Sequence, residues 1–137
     1  MKNIYFQIKE NCRDTASLVL ATVVATSGST PQKPGSSALL LDGKLISGTV
    51  GGGIIEGRIL EYARNCSGGC ESALLHFSLD KETSEPEEAV CGGTITILVD
   101  SKPGTHLTAF QEMEQSIGSG QPGVLITKVI PWNDTSV

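Results

Sequence analysis

Three short glycine-bearing blocks hold most of the chemistry open to this chain: Gly28-Ser-Thr-Pro-Gln-Lys-Pro-Gly35, Gly48-Thr-Val-Gly-Gly-Gly-Ile-Ile-Glu-Gly57 and Cys91-Gly-Gly93. Glycine lets backbone N–H groups approach a ligand and lets the chain turn where a Cβ would clash. In the second block a strand, a glycine cluster and a helix start would form an anion cradle, because free amides and the helix dipole both favour negative charge. Gly51, Gly52 and Gly53 are its candidate amide donors. The spacing is neither Gly-x-Gly-x-x-Gly nor a Walker A pattern, and no Lys-Ser/Thr pair is there to bring magnesium and a triphosphate. Glu56, in the first helical turn, would repel a polyanion. Its carboxylate suits a ring N–H, or reaches back as a cap to the Gly52 or Gly53 amide. A plain strand-to-helix connection stays open as the alternative.

The first block stiffens itself with Pro31 and Pro34 around Lys33, which narrows where the ammonium can sit and makes Lys33 a candidate counter-charge to a phosphate. In the third block, Gly92 and Gly93 leave the Cys91 sulfur unobstructed beside amides that could stabilise a thiolate, able to bind a metal or carry a persulfide. A small buried residue at a strand entrance is the other reading of Cys91. No Ser–His–Asp or Cys–His constellation is indicated, since the two histidines, His76 and His106, sit in no motif. No catalytic residue is therefore assigned beyond the candidate thiol.

These blocks need a sheet to hold them. Leu18–Ala25 reads as a strand; Ser37–Leu41 and Lys44–Val50 flank Asp42-Gly43, a type I′ hairpin signal, and that hairpin should be covered on both faces. A helix is expected from about Ile54 to Asn65, with Ile55, Ile59, Tyr62 and Cys66 inward, stopped by Gly68 and Gly69. Ala73–Leu79 and Thr94–Val99 are further strands. A second helix, capped by Thr105, carries Leu107, Phe110, Met113 and Ile117 and closes at Gly118. Val124–Ile130 is a last strand, and its text loosely echoes Val19-Leu-Ala-Thr-Val-Val24. The expected fold class is α/β: a mixed sheet of about five to six strands with at least two helices, in one domain over residues 1–137.

Composition bounds the rest. The net charge of −5 is concentrated, with −4 of it in the segment from Asp80 to Glu88, which reads as a solvated acidic loop. No basic stripe or aromatic platform points to nucleic acid. The charged stretch from Met1 to Asp14 is not a signal sequence, and Leu18–Val24 is far too short to span a bilayer, so a cytoplasmic location is expected and no membrane partner. The four cysteines, Cys12, Cys66, Cys70 and Cys91, are then expected to be thiols.

Taken jointly, the blocks resemble the N-terminal domain of the xanthine dehydrogenase accessory proteins, the XdhC/CoxI family. The resemblance rests on Val19-Leu-Ala-Thr-Val-Val24, the Gly28–Gly35 block, Gly48-Thr-Val-Gly-Gly-Gly53 with Glu56, and Cys91-Gly-Gly93, covering roughly residues 15–100. It implies a cytoplasmic chaperone, accessory rather than enzyme, for the molybdenum cofactor (molybdopterin), which it would carry as cargo to a xanthine-dehydrogenase-type hydroxylase, with a cysteine desulfurase as a further partner. Self-association into a homo-oligomer also belongs to this expectation. Carried onto this chain, Gly51, Gly52, Gly53 and Lys33 would hold the cofactor's phosphate end, Glu56 would meet the pterin or organise the loop, and Cys91 with Gly92 would face the metal or sulfur. The chain departs from the family pattern in having Ile54 where members commonly carry a cysteine. No Rossmann-like glycine fingerprint follows Gly93, so the second domain of many members is not expected here, and residues 119–137 read as the start of a linker or further segment. A small enzyme acting on a nucleotide or pterin, and an interaction module without a ligand, are the alternatives.

Overall fold

The computed structural model describes residues 3–12, 17–65, 69–79 and 92–130. Its centre is β1 (Leu18–Ser27), whose aliphatic and β-branched residues are buried on both sides over its first half. The hairpin β2 (Ser37–Leu41) and β3 (Lys44–Gly48) lies on one edge of β1, and β5 (Thr94–Asp100) followed by β4 (Ala73–Ser78) on the other. The order is β3-β2-β1-β5-β4. Every pairing is antiparallel, so the sheet is not mixed as expected. β2 joins β3 through a two-residue turn, and such short links pair strands antiparallel, whereas parallel neighbours need a long crossover. The turn is the expected one, with Asp42 at φ 49° and Gly43 at φ 73°.

Strand alternation sorts the core into two layers. Val19, Ala21, Val23, Ala38, Leu40, Ile95, Ile97 and Val99 face α2 (Gly53–Asn65), which buries Ile55, Ile59 and Ala63 against them. Tyr62 is only half-buried, and Cys66 lies outside the described residues. On the other face Leu18, Leu20 and Leu39 meet Ile8 of α1 (Ile4–Asn11) and Phe110 of α3 (Leu107–Gly118). Each such aliphatic side chain contributes about 1.5–3 kcal/mol when fully buried. β2 is covered on both faces as expected, but β3 is an exposed edge.

Two local expectations are corrected, and α1 is an element the sequence reading did not assign. α1 forms from the charged N-terminal stretch: Asn3 caps it by accepting from the Tyr5 N–H at 2.9 Å, and a single buried anchor, Ile8, was too little pattern to announce a helix. Thr105 does not cap α3. It lies inside a 3-10 turn (Pro103–His106), and its hydroxyl donates to the Lys102 carbonyl. Val124–Ile130 forms no strand and joins no sheet among the described residues. The acidic loop falls on residues outside those described. No helix among the described residues is long and apolar enough to cross a membrane.

Candidate functional site

The antiparallel order gathers the glycine blocks at one end of the sheet. β1 and β3 finish there, and β2 and β5 begin there, with Ser27 opposite Thr94 and Ala38 opposite Gly48. The register shift around Val24 marks a bulge that bends the last residues of β1 at this end. Contacts then join the blocks directly. A Cβ on Gly93 would sit 2.2 Å from the Ser29 carbonyl oxygen and 2.5 Å from that of Ser27, so only glycine lets these two backbones lie so close. A Cβ on Gly51 would meet Pro31 at 2.9 Å. The three blocks, separated by up to sixty residues in the chain, therefore form one surface.

Glu56 organises its middle. Its Oε1 accepts from the Thr49 hydroxyl, from the Val50 N–H at 3.2 Å and from the Gly52 N–H at 3.0 Å. The Gly51 N–H donates to the Thr49 hydroxyl oxygen at 3.2 Å. Partial burial works to raise the Glu56 pKa, but the hydrogen bonds from Thr49 and the amides of Gly52, Val50 and Gly51 outweigh it and hold the carboxyl below its ordinary value. The cradle is thus filled from within by the chain's own carboxylate. Of the three triple-glycine amides, that of Gly53 has no partner among the described residues, and neither does Glu56 Oε2. Gly52 stands at φ 71° with nothing within 4 Å of where its Cβ would be, so its outer side is open.

The remaining candidates distribute around this surface. Lys33 is exposed on the loop whose Pro31 touches Gly51. That loop is braced from inside: the Ser36 hydroxyl donates to Gln32 Oε1 at 3.0 Å, and the Gly35 N–H donates to the Val23 carbonyl at 2.8 Å. Gly92 is exposed, and its N–H donates to the Leu79 carbonyl at 2.7 Å, which extends the β4–β5 ladder by one rung. Cys91 lies outside the described residues. Thr49 was missed by sequence reasoning. Its signal was a hydroxyl just ahead of a glycine run whose helix carries a carboxylate in its first turn.

The other cysteines divide. Cys12 is an exposed free thiol, whereas Cys70 is disulfide-bonded, against the expectation that all four are thiols. Cys70 lies beside Glu71, whose carbonyl accepts from the Tyr62 hydroxyl of α2. A second concavity, a cleft of about 740 Å³, lies on the opposite sheet face between α3 and residues 125–130, lined by Tyr5, Leu20, Leu98, Asp100, His106 and Phe110. Its Asp100 carboxylate is occupied by the Lys102 N–H at 2.9 Å and by His106 at 3.5 Å.

Comparison with known proteins bears on the family and the fold. Residues 12–78 match the family described as the XdhC and CoxI family. The chain is similar to the protein YqeB of Escherichia coli K12, described as uncharacterized, at 23% identity over 97 residues, which make up 71% of this chain and 18% of that protein. It also resembles the crystal structure of a xanthine dehydrogenase from Bacillus halodurans, with a TM-score of 0.66 and 18% identity, over 82% of this chain and 35% of that one. At that identity the likeness shows the fold. The chain spans 18% of the first protein's length and 35% of the second's.

Proposed function

We propose that this chain, whose residues 12–78 match the XdhC and CoxI family, is an accessory protein that receives the molybdenum cofactor as cargo and passes it to a xanthine-dehydrogenase-type hydroxylase. The observations that carry this reading are the contacts joining the three glycine blocks and the carboxylate of Glu56 held within the second of them. A carboxylate with one oxygen tied to the backbone and the other free is a fixed acceptor. It suits the N–H-bearing edge of a pterin ring better than it suits a polyanion, which it would repel. The phosphate end would then lie away from Glu56, toward the Gly53 amide and Lys33, while Gly51 and Gly52 shape the loop. Cys91, beside Gly92, is the thiol assigned to the metal or its sulfur. A cargo site of this kind calls for no turnover, which favours an accessory role over an enzymatic one.

Calorimetric titration of the purified chain with molybdopterin, and separately with magnesium–ATP, tests the reading. Pterin binding that Glu56→Ala weakens is the expected result. Tight magnesium-dependent ATP binding without pterin binding would overturn it in favour of a nucleotide site.

A further inference from the structure

Thr49 lies between β3 and α2 and is fastened to β2. Its N–H donates to the Ser37 carbonyl at 3.0 Å. The residue before it closes on the same strand: a Cβ on Gly48 would lie 2.1 Å from the Ser37 carbonyl oxygen, so glycine is required there. The Thr49 hydroxyl donates to Glu56 Oε1 and accepts from the Gly51 N–H at 3.2 Å. The direction is forced, because an ionised carboxylate only accepts and a backbone N–H only donates, which leaves the single hydroxyl proton to Glu56. Among the described residues Thr49 is the only side chain that bonds Glu56, the other contacts being the Val50 and Gly52 amides. Thr49 is exposed and belongs to neither core layer, so packing does not account for its hydroxyl.

We infer that Thr49 is a positioning residue of the candidate site: its hydroxyl turns the Glu56 carboxylate so that Oε1 stays on the loop and Oε2 is left to a ligand. Three donors on one oxygen fill its lone pairs. A further N–H must then be met by Oε2, which has no partner among the described residues. Burial works to raise the Glu56 pKa, and the Thr49 hydroxyl is the strongest of the influences that lower it, ahead of the Gly52, Val50 and Gly51 amides. The charged groups on the elements around it are Lys33 on the 28–36 loop and Arg58 and Glu61 on α2. All three are exposed, and none makes an ion pair among the described residues. The hydroxyl is thus the one contact to this carboxylate that substitution can remove while the backbone donors stay. For ligand binding the inference rests on the proposed function; for the state of Glu56 it stands apart from it.

Thr49→Val keeps the shape of the side chain and removes the hydroxyl, and Thr49→Ser restores the hydroxyl. Both variants should keep the circular dichroism spectrum of the wild-type chain. Carbon-13 NMR titration of the Glu56 carboxyl in the ligand-free chain should show the midpoint shifted upward in Thr49→Val, because a bond to the charged form is lost, and unshifted in Thr49→Ser. Calorimetric titration with molybdopterin at pH 7 should show binding weakened by about fivefold or more in Thr49→Val, and held within about twofold of the wild-type chain in Thr49→Ser. The inference is overturned by a Glu56 midpoint that Thr49→Val leaves in place, by a Thr49→Ser chain that behaves like Thr49→Val, or by wild-type molybdopterin binding that Thr49→Val does not diminish. A wild-type chain that binds no molybdopterin fails the proposed function instead, and the carboxyl titration then decides the role of Thr49 on its own.

Discussion

Replacing Glu56 tests the site and the fold together. Its Oε1 accepts two backbone N–H groups and the Thr49 hydroxyl at the start of α2. Loss of a helix N-cap costs about 0.5–2 kcal/mol. Hydrogen bonds to a charged group are each worth about 1.5–3 kcal/mol, with the lower end fitting a half-exposed site where freed amides can rehydrate. Glu56→Ala should therefore destabilise the chain by about 2 kcal/mol. Glu56→Gln keeps an acceptor oxygen but loses the charge, for about 1 kcal/mol. Because the folded carboxyl titrates below its ordinary value near 4.5, its ionised form stabilises the fold above that pH. That stabilisation declines as the pH falls through the lowered folded value. Urea unfolding followed by circular dichroism at pH 7 and at pH 3 measures both effects. The gap between the wild-type chain and Glu56→Gln should be present at pH 7 and narrow at pH 3. A gap of zero at pH 7, or one of the same size at both pH values, would refute the capping role.

Three further outcomes are expected. Gly93→Ala would drive a Cβ onto the Ser29 and Ser27 carbonyls and should cost about 3 kcal/mol or more, lowering the thermal midpoint of the purified chain. Gly52→Val should abolish pterin binding in the titration at a backbone cost of about 1–3 kcal/mol at its positive φ, whereas Lys33→Ala should weaken binding by only about 0–1 kcal/mol, as for other exposed charge contacts. Cys91→Ser should leave the unfolding curve unchanged and abolish support of the client hydroxylase in a maturation assay.

The glycine blocks, the hairpin at Asp42-Gly43, all five strands of the sheet and the two longer helices were legible in the residues, because turn chemistry and hydrophobic periodicity are local properties. Glu56 was legible as well, since its reach back to Gly52 needs only one helical turn. What stayed hidden depends on distant partners. The meeting of Gly93 with Ser29 follows from the pairing of Ser27 with Thr94, and the contact of Gly51 with Pro31 from the ends of β1 and β3 sharing one side of the sheet. α1 is held by Ile8 against Leu18, Leu20, Leu39 and Phe110, contacts that its own eight residues do not announce. Val124–Ile130 shows the reverse case: it has every local mark of a strand, yet it pairs with none of the five strands. Strand propensity says what a segment can do, while the tertiary structure decides whether a partner edge is brought to it.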